Sequence, residues 1–297
     1  EYSRENPITV EKAMNLDFTH AGIKIIIADD TQNFVFAGET EKFDGAFYSK
    51  VSMVINGGEK GNGELTIIGS NEGLDSDMHL QINGGHINVA ADDDAINASE
   101  DYGSVVIING GKIIVNGGQH SGGWEGDGID SNGMIIVNGG IVIGAAIPNM
   151  DSGLDSTVAT IINGGIAIGV GSALDGAEEG CTQPTMNLAF NYEIAPEKVL
   201  TIEDTKGNVI LRFCPADAGF VGSYVHGYKA MIVSHPDFET FKVYKLFLDG
   251  VPVGYTSRER GRPFGPNGPG GMGGFPPMGG FPPMDGFPPM DGFPPMD

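Results

Sequence analysis

Aspartate and asparagine recur at one position of a short repeated motif. The motif reads Gly-Leu-Asp-Ser, Ala-Ile-Asn-Ala, Gly-Ile-Asp-Ser, Gly-Leu-Asp-Ser and Ala-Leu-Asp-Gly, and its third residues are Asp75, Asn97, Asp130, Asp155 and Asp175. Further acids surround the motif, namely Asp77, Asp92, Asp93, Asp94, Asp127 and Asp151, with Asp44 as a candidate first member of the series. Calcium takes about six to eight oxygen ligands from carboxylates, amides, carbonyls and water. The pattern therefore predicts calcium binding.

Transition metals and turn capping are the alternatives to a calcium site. Zinc and copper prefer histidine and cysteine, which are sparse here, since the chain has 6 His and 2 Cys. Any single Asp could instead cap a turn through local hydrogen bonds to its own backbone. For the set as a whole, calcium is the favoured interpretation.

A second motif sets the period of the chain. The sequence Ile/Val-Asn-Gly-Gly begins at residues 55, 82, 108, 137 and 162, so successive copies lie 27, 26, 29 and 25 residues apart. Short β-branched runs such as Leu65-Thr-Ile-Ile and Lys112-Ile-Ile-Val separate the motifs, and they favour strands too short to be helices. Asn-Gly-Gly supplies the left-handed backbone of a tight corner. The pattern predicts a right-handed parallel β-helix, because propeller blades would need about 40–45 residues.

Stacking of equivalent corners should bring the repeated acids close together. Parallel coils lie about 4.8 Å apart, so Asp75, Asn97, Asp130, Asp155 and Asp175 should form one column. Like charges placed directly across a sheet destabilise it, and a bound cation relieves this repulsion. The segments Asp94-Ala-Ile-Asn97 and Asp127-Gly-Ile-Asp130 share one spacing and should face the same corner.

Charge and hydropathy exclude several classes of protein. The net charge is −23, with 39 acidic against 16 basic residues, whereas nucleic-acid binding requires clustered Lys and Arg. No apolar run approaches the roughly 18 residues that a transmembrane helix needs. We therefore expect neither nucleic-acid binding nor a transmembrane segment.

Several segments, taken in order, resemble the carbohydrate-binding β-helix proteins of clostridia and their relatives. They are residues 44–50, 91–100, 126–133, 204–210 and 232–237. The resemblance covers roughly residues 20–255. It implies a secreted, extracellular or cell-surface protein with bound calcium and a fold like that of polysaccharide lyases. It also implies binding of cellulose or of acidic sugars such as polygalacturonate. The C-terminal tail and Cys181 depart from the family pattern.

Catalysis is not expected, although a calcium-dependent lyase remains an alternative. Such a lyase needs a base, usually Arg or Lys, near the calcium. Lys112 is the only Lys or Arg between Lys60 and Lys198, and no Arg lies between Arg4 and Arg212. Acidic sugars would therefore have to bind through calcium bridges.

Aromatic and cysteine side chains give further candidates. Trp124, the only Trp, lies in a glycine-rich loop. It could present a platform for a sugar ring, as could Tyr102, or Trp124 could cover the wall of the β-helix. Cys181 and Cys214 could form one disulfide, with two free buried thiols as the alternative.

Four segments are predicted along the chain. Residues 1–42 should form a cap with strands at 23–27 and 34–36, and residues 43–185 the β-helix. Residues 186–256 should form a small antiparallel module with strands at 199–203, 209–213, 229–233 and 243–248. Residues 257–297 form a tail of Gly-Phe-Pro-Pro-Met repeats, expected to be disordered alone. Its regularly spaced aromatics could dock on another copy, which would make the protein a filament or surface-layer subunit: Phe275, Phe281, Phe287 and Phe293.

Overall fold

The computed structural model describes most of the chain between residues 8 and 257. The described ranges are 8–10, 14–16, 32–36, 39–43, 45–49, 51–57, 63–69, 71–119, 125–147, 150–172, 175–177 and 180–257. They all lie within the compact unit Glu1–Gly261. Within the described ranges the structure has β-strands and one turn of 3-10 helix, Pro215–Asp217, and none of it is a helix able to span a membrane.

The strands are short and follow one another closely. In chain order the first nineteen are β1 Ile8–Val10, β2 Met14–Leu16, β3 Gln32–Phe36, β4 Glu39–Phe43, β5 Gly45–Ser49, β6 Ser52–Ile55, β7 Glu64–Ile68, β8 Glu72–Ser76, β9 His79–Ile82, β10 His86–Ala90, β11 Ile96–Ala98, β12 Val105–Ile108, β13 Lys112–Asn116, β14 Asp130–Ser131, β15 Met134–Val137, β16 Ile141–Ala145, β17 Asp155–Ser156, β18 Ala159–Ile162 and β19 Ile166–Gly171. The remaining strands are β20 Thr185–Ile194, β21 Leu200–Glu203, β22 Val209–Phe213, β23 Tyr228–Ser234, β24 Lys245–Leu248, β25 Val251–Pro252 and β26 Tyr255–Ser257.

Parallel pairing between every third strand builds three faces around one core. The first face contains β1, β5, β8 and β11 and continues through a bridge between Ile96 and Ile129 to β14 and β17. The second face contains β2, β6, β9, β12, β15 and β18, and the third contains β7, β10, β13, β16 and β19. The predicted parallel β-helix is confirmed.

In-register stacking fills the interior with columns of apolar side chains. On the second face Leu80 pairs with Val106, which pairs in turn with Ile135, and all three are fully buried. Along each strand, the residues on either side of these three point outward, since successive side chains of a strand alternate between faces. Burial of apolar surface stabilises by roughly 25 cal/mol per Å², so each coil depends on its neighbours for this stabilisation.

In the Asn-Gly-Gly corners, the second glycine forms the backbone turn and the asparagine side chain links neighbouring coils. The second glycine adopts the left-handed backbone, for example Gly85 at φ +97° and Gly111 at φ +96°. The asparagines form a continuous exposed ladder in which each side-chain Nδ2 donates to the Oδ1 of the preceding coil, at 2.8–2.9 Å. The ladder ends where Thr182 Oγ1 donates to Asn163 Oδ1, and its other members are Asn56, Asn83, Asn109 and Asn138.

Replacing the middle of this asparagine ladder should destabilise the fold modestly. Asn109→Ala removes the bond that Asn109 donates to Asn83 and the bond that it accepts from Asn138. Because both bonds are exposed, we expect a loss of about 1 kcal/mol in the free energy of unfolding. Denaturant titration measures the loss, with Asn191→Ala, an exposed residue of β20, as the control. Equal losses in the two variants would rule out a contribution from the ladder.

The C-terminal region extends the third face with antiparallel strands and adds a separate antiparallel sheet. Strand β23 pairs antiparallel with both β19 and β20, and β26 pairs with β20. Strands β21, β22, β24 and β25 form an antiparallel sheet. The predicted strand at 229–233 therefore joins the third face of the solenoid rather than the module. Residues 230–233 of this strand, including Met231 and Val233, are buried, whereas Lys229 is exposed, and the strand covers the edge of β19.

Near the N-terminus, parallel pairing extends to residues before 43. Strands β1 and β2 pair in parallel with β5 and β6, within the segment predicted as a cap. Strands β3 and β4 form an antiparallel hairpin. The strand predicted at 23–27 lies outside the described residues.

The structure has no bond between Cys181 and Cys214, so the predicted disulfide is not formed in it. Cys181 packs against the core of the solenoid, and its Sγ accepts a hydrogen bond from the Ile162 backbone N–H at 3.2 Å. Cys214 lies just before the 3-10 helix, and its Sγ donates to the Pro196 carbonyl at 3.4 Å. Both cysteines are half-buried, and each thiol makes a hydrogen bond within its own part of the fold.

Candidate functional site

Stacked coils bring the repeated Asp and Asn residues into a column on the first face. Asp75 pairs with Asn97, and Asp130 pairs with Asp155. The bridge between Ile96 and Ile129 joins the two pairs. In the preceding coil Tyr48, and not an acid, pairs with Asp75. Asp44, the predicted first member, lies outside the described residues.

A second column lies three residues earlier in each coil. It contains Glu72, Asp94, Asp127 and Ser152, each three residues before a member of the first column. The Asp127 backbone N–H donates to Asp94 Oδ1 at 2.7 Å, and the Ser152 backbone N–H donates to Asp127 Oδ1 at 2.6 Å. The two columns together are called the acidic corner, and their members are Glu72, Asp75, Asp94, Asn97, Asp127, Asp130, Ser152 and Asp155.

Glu72 is a member of this corner that the motif pattern did not predict. Its side chain is buried, and its Oε1 accepts a hydrogen bond from Asn97 Nδ2 at 2.8 Å. The segment Glu72-Gly-Leu-Asp75 has the spacing of Asp94-Ala-Ile-Asn97, so the signal was present in the sequence. Glu72 does not fit the pattern of Asp and Asn residues, because it is a longer acid at the first position of the segment.

Burial and mutual repulsion perturb the corner carboxyl groups strongly. Burial, with the nearby Asp75 charge second, raises the pKa of Glu72 well above its ordinary value. Burial, followed by the Asp155 and Asp94 charges, raises the pKa of Asp127 to about 10. Without a cation, the corner therefore keeps several of its acids protonated at neutral pH.

The pKa values of further carboxyl groups in the two columns and beside them are raised as well. Burial raises the pKa of Asp130 to about 7 and that of Asp155 to about 7, with the Asp175 charge adding to both. For Asp94, burial and then the Asp130 charge raise the pKa well above its ordinary value. Outside the columns, burial and the Glu125 charge raise the pKa of Asp151 to about 6. In every case desolvation is the largest cause.

Some buried oxygen atoms at the corner lack a hydrogen-bond donor within the described residues. They are Glu72 Oε2 and Asn97 Oδ1, with Asp151 Oδ2 beside the corner. Buried polar atoms are normally satisfied by protein, ordered water or an ion. In the described ranges no three His, Cys, Asp or Glu side chains converge as a metal centre. A cation here would need amide, carbonyl and water oxygens as well.

The remaining predicted calcium ligands lie around the corner in different roles. Asp77 accepts a hydrogen bond from the Tyr48 hydroxyl at 2.9 Å, and Asp92 and Asp93 are partly buried. Asp175 Oδ2 accepts bonds from the Ser156 backbone N–H at 2.8 Å and from its hydroxyl at 3.1 Å. These bonds come from Ser156, 19 residues earlier in the chain, so they are not the local turn bonds that the alternative to calcium expects.

The predicted carbohydrate-binding and assembly residues are only partly described. Tyr102 is 62% exposed and has a left-handed backbone at φ +60°. Its backbone N–H donates to the Asn132 carbonyl at 2.7 Å, which fixes the loop at its base. Trp124 lies outside the described residues, as do the tail residues Phe275, Phe281, Phe287 and Phe293. Their roles stay predictions.

A loop at residues 219–226 is tied across the third face by amide side chains. Asn88 donates to the Gly219 carbonyl at 2.7 Å and accepts from the Val221 backbone N–H. Gln119 Oε1 accepts from the backbone N–H groups of Ser223 and Tyr224, at 2.8 and 3.0 Å. No sequence pattern predicts this contact, since the partners lie more than a hundred residues apart.

The fold and the acidic corner define an acidic parallel β-solenoid protein. A family model described as carbohydrate-binding domain-containing protein matches residues 4–206, and the chain belongs to that family. No curated protein and no solved structure matches the chain.

Proposed function

We propose that the protein is an extracellular polysaccharide-binding β-solenoid that holds calcium at its acidic corner and does not act as an enzyme. Family membership supports carbohydrate binding. The buried, mutually repelling carboxyl groups of the corner support a cation, since calcium would replace the protons that otherwise neutralise them. The close packing of these buried carboxyl groups is the observation that carries the proposal.

Glu72, Asp75 and Asn97 are the residues we assign to a calcium ion. Glu72 Oε2 and Asn97 Oδ1 are buried oxygens whose hydrogen-bonding capacity is unused within the described residues, and Asp75 adds a second carboxylate. Backbone carbonyls and water would complete the shell of this hard cation. Bound calcium would neutralise the corner and offer coordination positions to oxygens of a sugar.

Acidic polysaccharides fit this corner only through the metal. The chain carries a net charge of −23, and such a field repels a polyuronate. Lys112, the only Lys or Arg between Lys60 and Lys198, is exposed at the start of β13 on the third face, whereas the acidic corner lies on the first. Lys112 is therefore not placed to abstract a proton beside the corner carboxylates, which favours binding without lyase chemistry.

Binding of immobilised polygalacturonate, with and without a chelator, tests the proposal. We expect retention in millimolar calcium and at least a tenfold loss of retention in EDTA, because the bridging cation is removed. Restored retention after calcium is added back shows that the protein has not simply denatured. Equal retention in both buffers, or release of unsaturated sugars with ultraviolet absorbance, would contradict the proposal.

A further inference from the structure

A groove of about 360 Å³ lies between the start of β20 and the loop at residues 238–244. This volume falls in the range of about 300–1,000 Å³ that small-molecule sites occupy. One wall carries polar side chains, among them Thr182 and Gln183, and the other carries Phe238, Phe241 and Tyr244. The loop lies beyond residue 206, where the family match ends. The groove is therefore a feature of this chain beyond the acidic corner.

Phe241 has an unusual backbone and an unusually exposed ring. Its φ is +62°, a left-handed conformation, and its side chain is fully exposed at 101%. Residues held in such a conformation cost about 1–3 kcal/mol, and an exposed ring recovers none of this through burial. A strained, exposed aromatic at the edge of a groove indicates a role in contacting a ligand.

The loop that presents this ring is well anchored. Phe238 is buried, and its ring packs against that of Tyr244 with centroids 5.0 Å apart. The Tyr244 hydroxyl accepts a hydrogen bond from the Glu239 backbone N–H at 2.7 Å. The aromatic wall is therefore held in position by the protein itself, which lowers the entropy lost when a ligand binds.

The groove has one basic and one acidic side chain, which form an exposed ion pair. Lys242 Nζ and Glu239 Oε2 lie 3.4 Å apart, and their side chains are 58% and 69% exposed. Exposed pairs of this kind contribute little to stability, so both ends can hydrogen-bond to a ligand. Glu239 disfavours a second carboxylate, whereas sugar hydroxyl groups can accept from Lys242 and donate to Glu239.

We propose that the groove binds a neutral oligosaccharide segment independently of calcium, with the apolar face of a pyranose ring packed on Phe241. Pairing an aromatic ring with hydrogen-bonding groups matches a sugar, which has one apolar C–H face and a polar rim. The choice of sugar as the ligand rests on the carbohydrate-binding function proposed above. The site itself uses none of the corner residues.

Titration of the full chain with cellohexaose in EDTA tests the groove by calorimetry or by saturation-transfer NMR. Phe241→Ala should weaken the affinity at least fivefold, and Lys242→Ala by about twofold to threefold. Val243→Ala, an exposed neighbour in the same loop, should stay within twofold of the parent. Phe241→Gly should lose binding equally while its melting temperature rises by about 2–3 °C, since glycine relieves the left-handed strain.

The outcomes separate the groove from the acidic corner. Absence of cellohexaose binding, or unchanged affinity in both Phe241 variants, would overturn the groove. Calcium-dependent retention on polygalacturonate in those same variants would show that the corner functions without it. Cellohexaose binding in EDTA combined with failure of all polygalacturonate binding would support the groove and contradict the proposed function of the corner.

Discussion

Without calcium, the protein should lose stability as the pH rises from about 4.5 to about 7.5, and calcium should restore it. The cause is the protonation of the corner acids in the folded state. The pKa of Asp130 and that of Asp155 are raised from 3.8 to about 7, and that of Asp127 is raised to about 10. In the unfolded chain these groups ionise near their ordinary value.

The direction follows from linkage between proton binding and folding. A carboxyl group with a raised pKa binds its proton more tightly when folded, so its stabilising effect is complete below about pH 3.8 and is lost as the pH rises through the folded value. For Asp130 and Asp155 that window ends near pH 7. We expect the melting temperature to fall on the order of 10 °C across the window.

Calcium reverses this loss because it binds the ionised form of the corner. Saturating calcium should therefore raise the melting temperature more at pH 7.5 than at pH 4.5, as expected for a ligand that competes with protons. Scanning calorimetry in EDTA and in calcium at both pH values measures the effect. Asp127→Asn, which keeps an acceptor for the Ser152 N–H, should flatten the pH profile, whereas the exposed control Asp217→Asn should not. A calcium-free protein whose stability rises over this pH range would contradict the explanation.

Replacing a corner glycine should have a large effect on stability. Gly140 has φ +84°, and a Cβ built there would lie 2.6 Å from the Gly111 carbonyl oxygen of the preceding coil. Gly140→Ala therefore combines left-handed strain of about 1–2 kcal/mol with a collision against backbone that cannot move alone. We expect a total loss of about 3–4 kcal/mol in the free energy of unfolding.

A second glycine separates the two causes. Gly250 has a similar φ of +79°, but among the described residues no atom lies within 4 Å of the position that its Cβ would take. Gly250→Ala should lose only the strain, about 1–2 kcal/mol. Denaturant unfolding of both variants gives the comparison. Equal losses would show that the coils do not pack as closely at Gly140 as the structure indicates.

Most of the fold could be predicted from the repeats, because parallel coils place equivalent residues in register. Knowing that Asp75 and Asn97 occupy one motif position was enough to predict that they pair. The register could not reveal contacts between distant segments that share no repeat. The docking of the 219–226 loop on Gln119 is one example, and the pairing of β23 with β19 is another.

The corner was predicted incompletely for a different reason. Its first column follows directly from the motif, whereas its second depends on recognising that Glu72 and Asp94 are equivalent although their side chains differ in length. For the Asn-Gly-Gly motif, likewise, only the role of its backbone in a tight corner was predicted from the sequence. That its side chains bond from coil to coil, as Asn83 and Asn109 do, becomes evident once the coils are stacked.

A crystal structure grown in calcium, with anomalous data collected, tests the proposed calcium site most directly. We predict an anomalous peak at the acidic corner within about 2.3–2.6 Å of oxygen atoms of Glu72, Asp75 and Asn97. The peak should disappear in Glu72→Gln, which keeps the acceptor for Asn97 but lacks the charge. A well-resolved corner in saturating calcium with no ion among these side chains would contradict the proposed site.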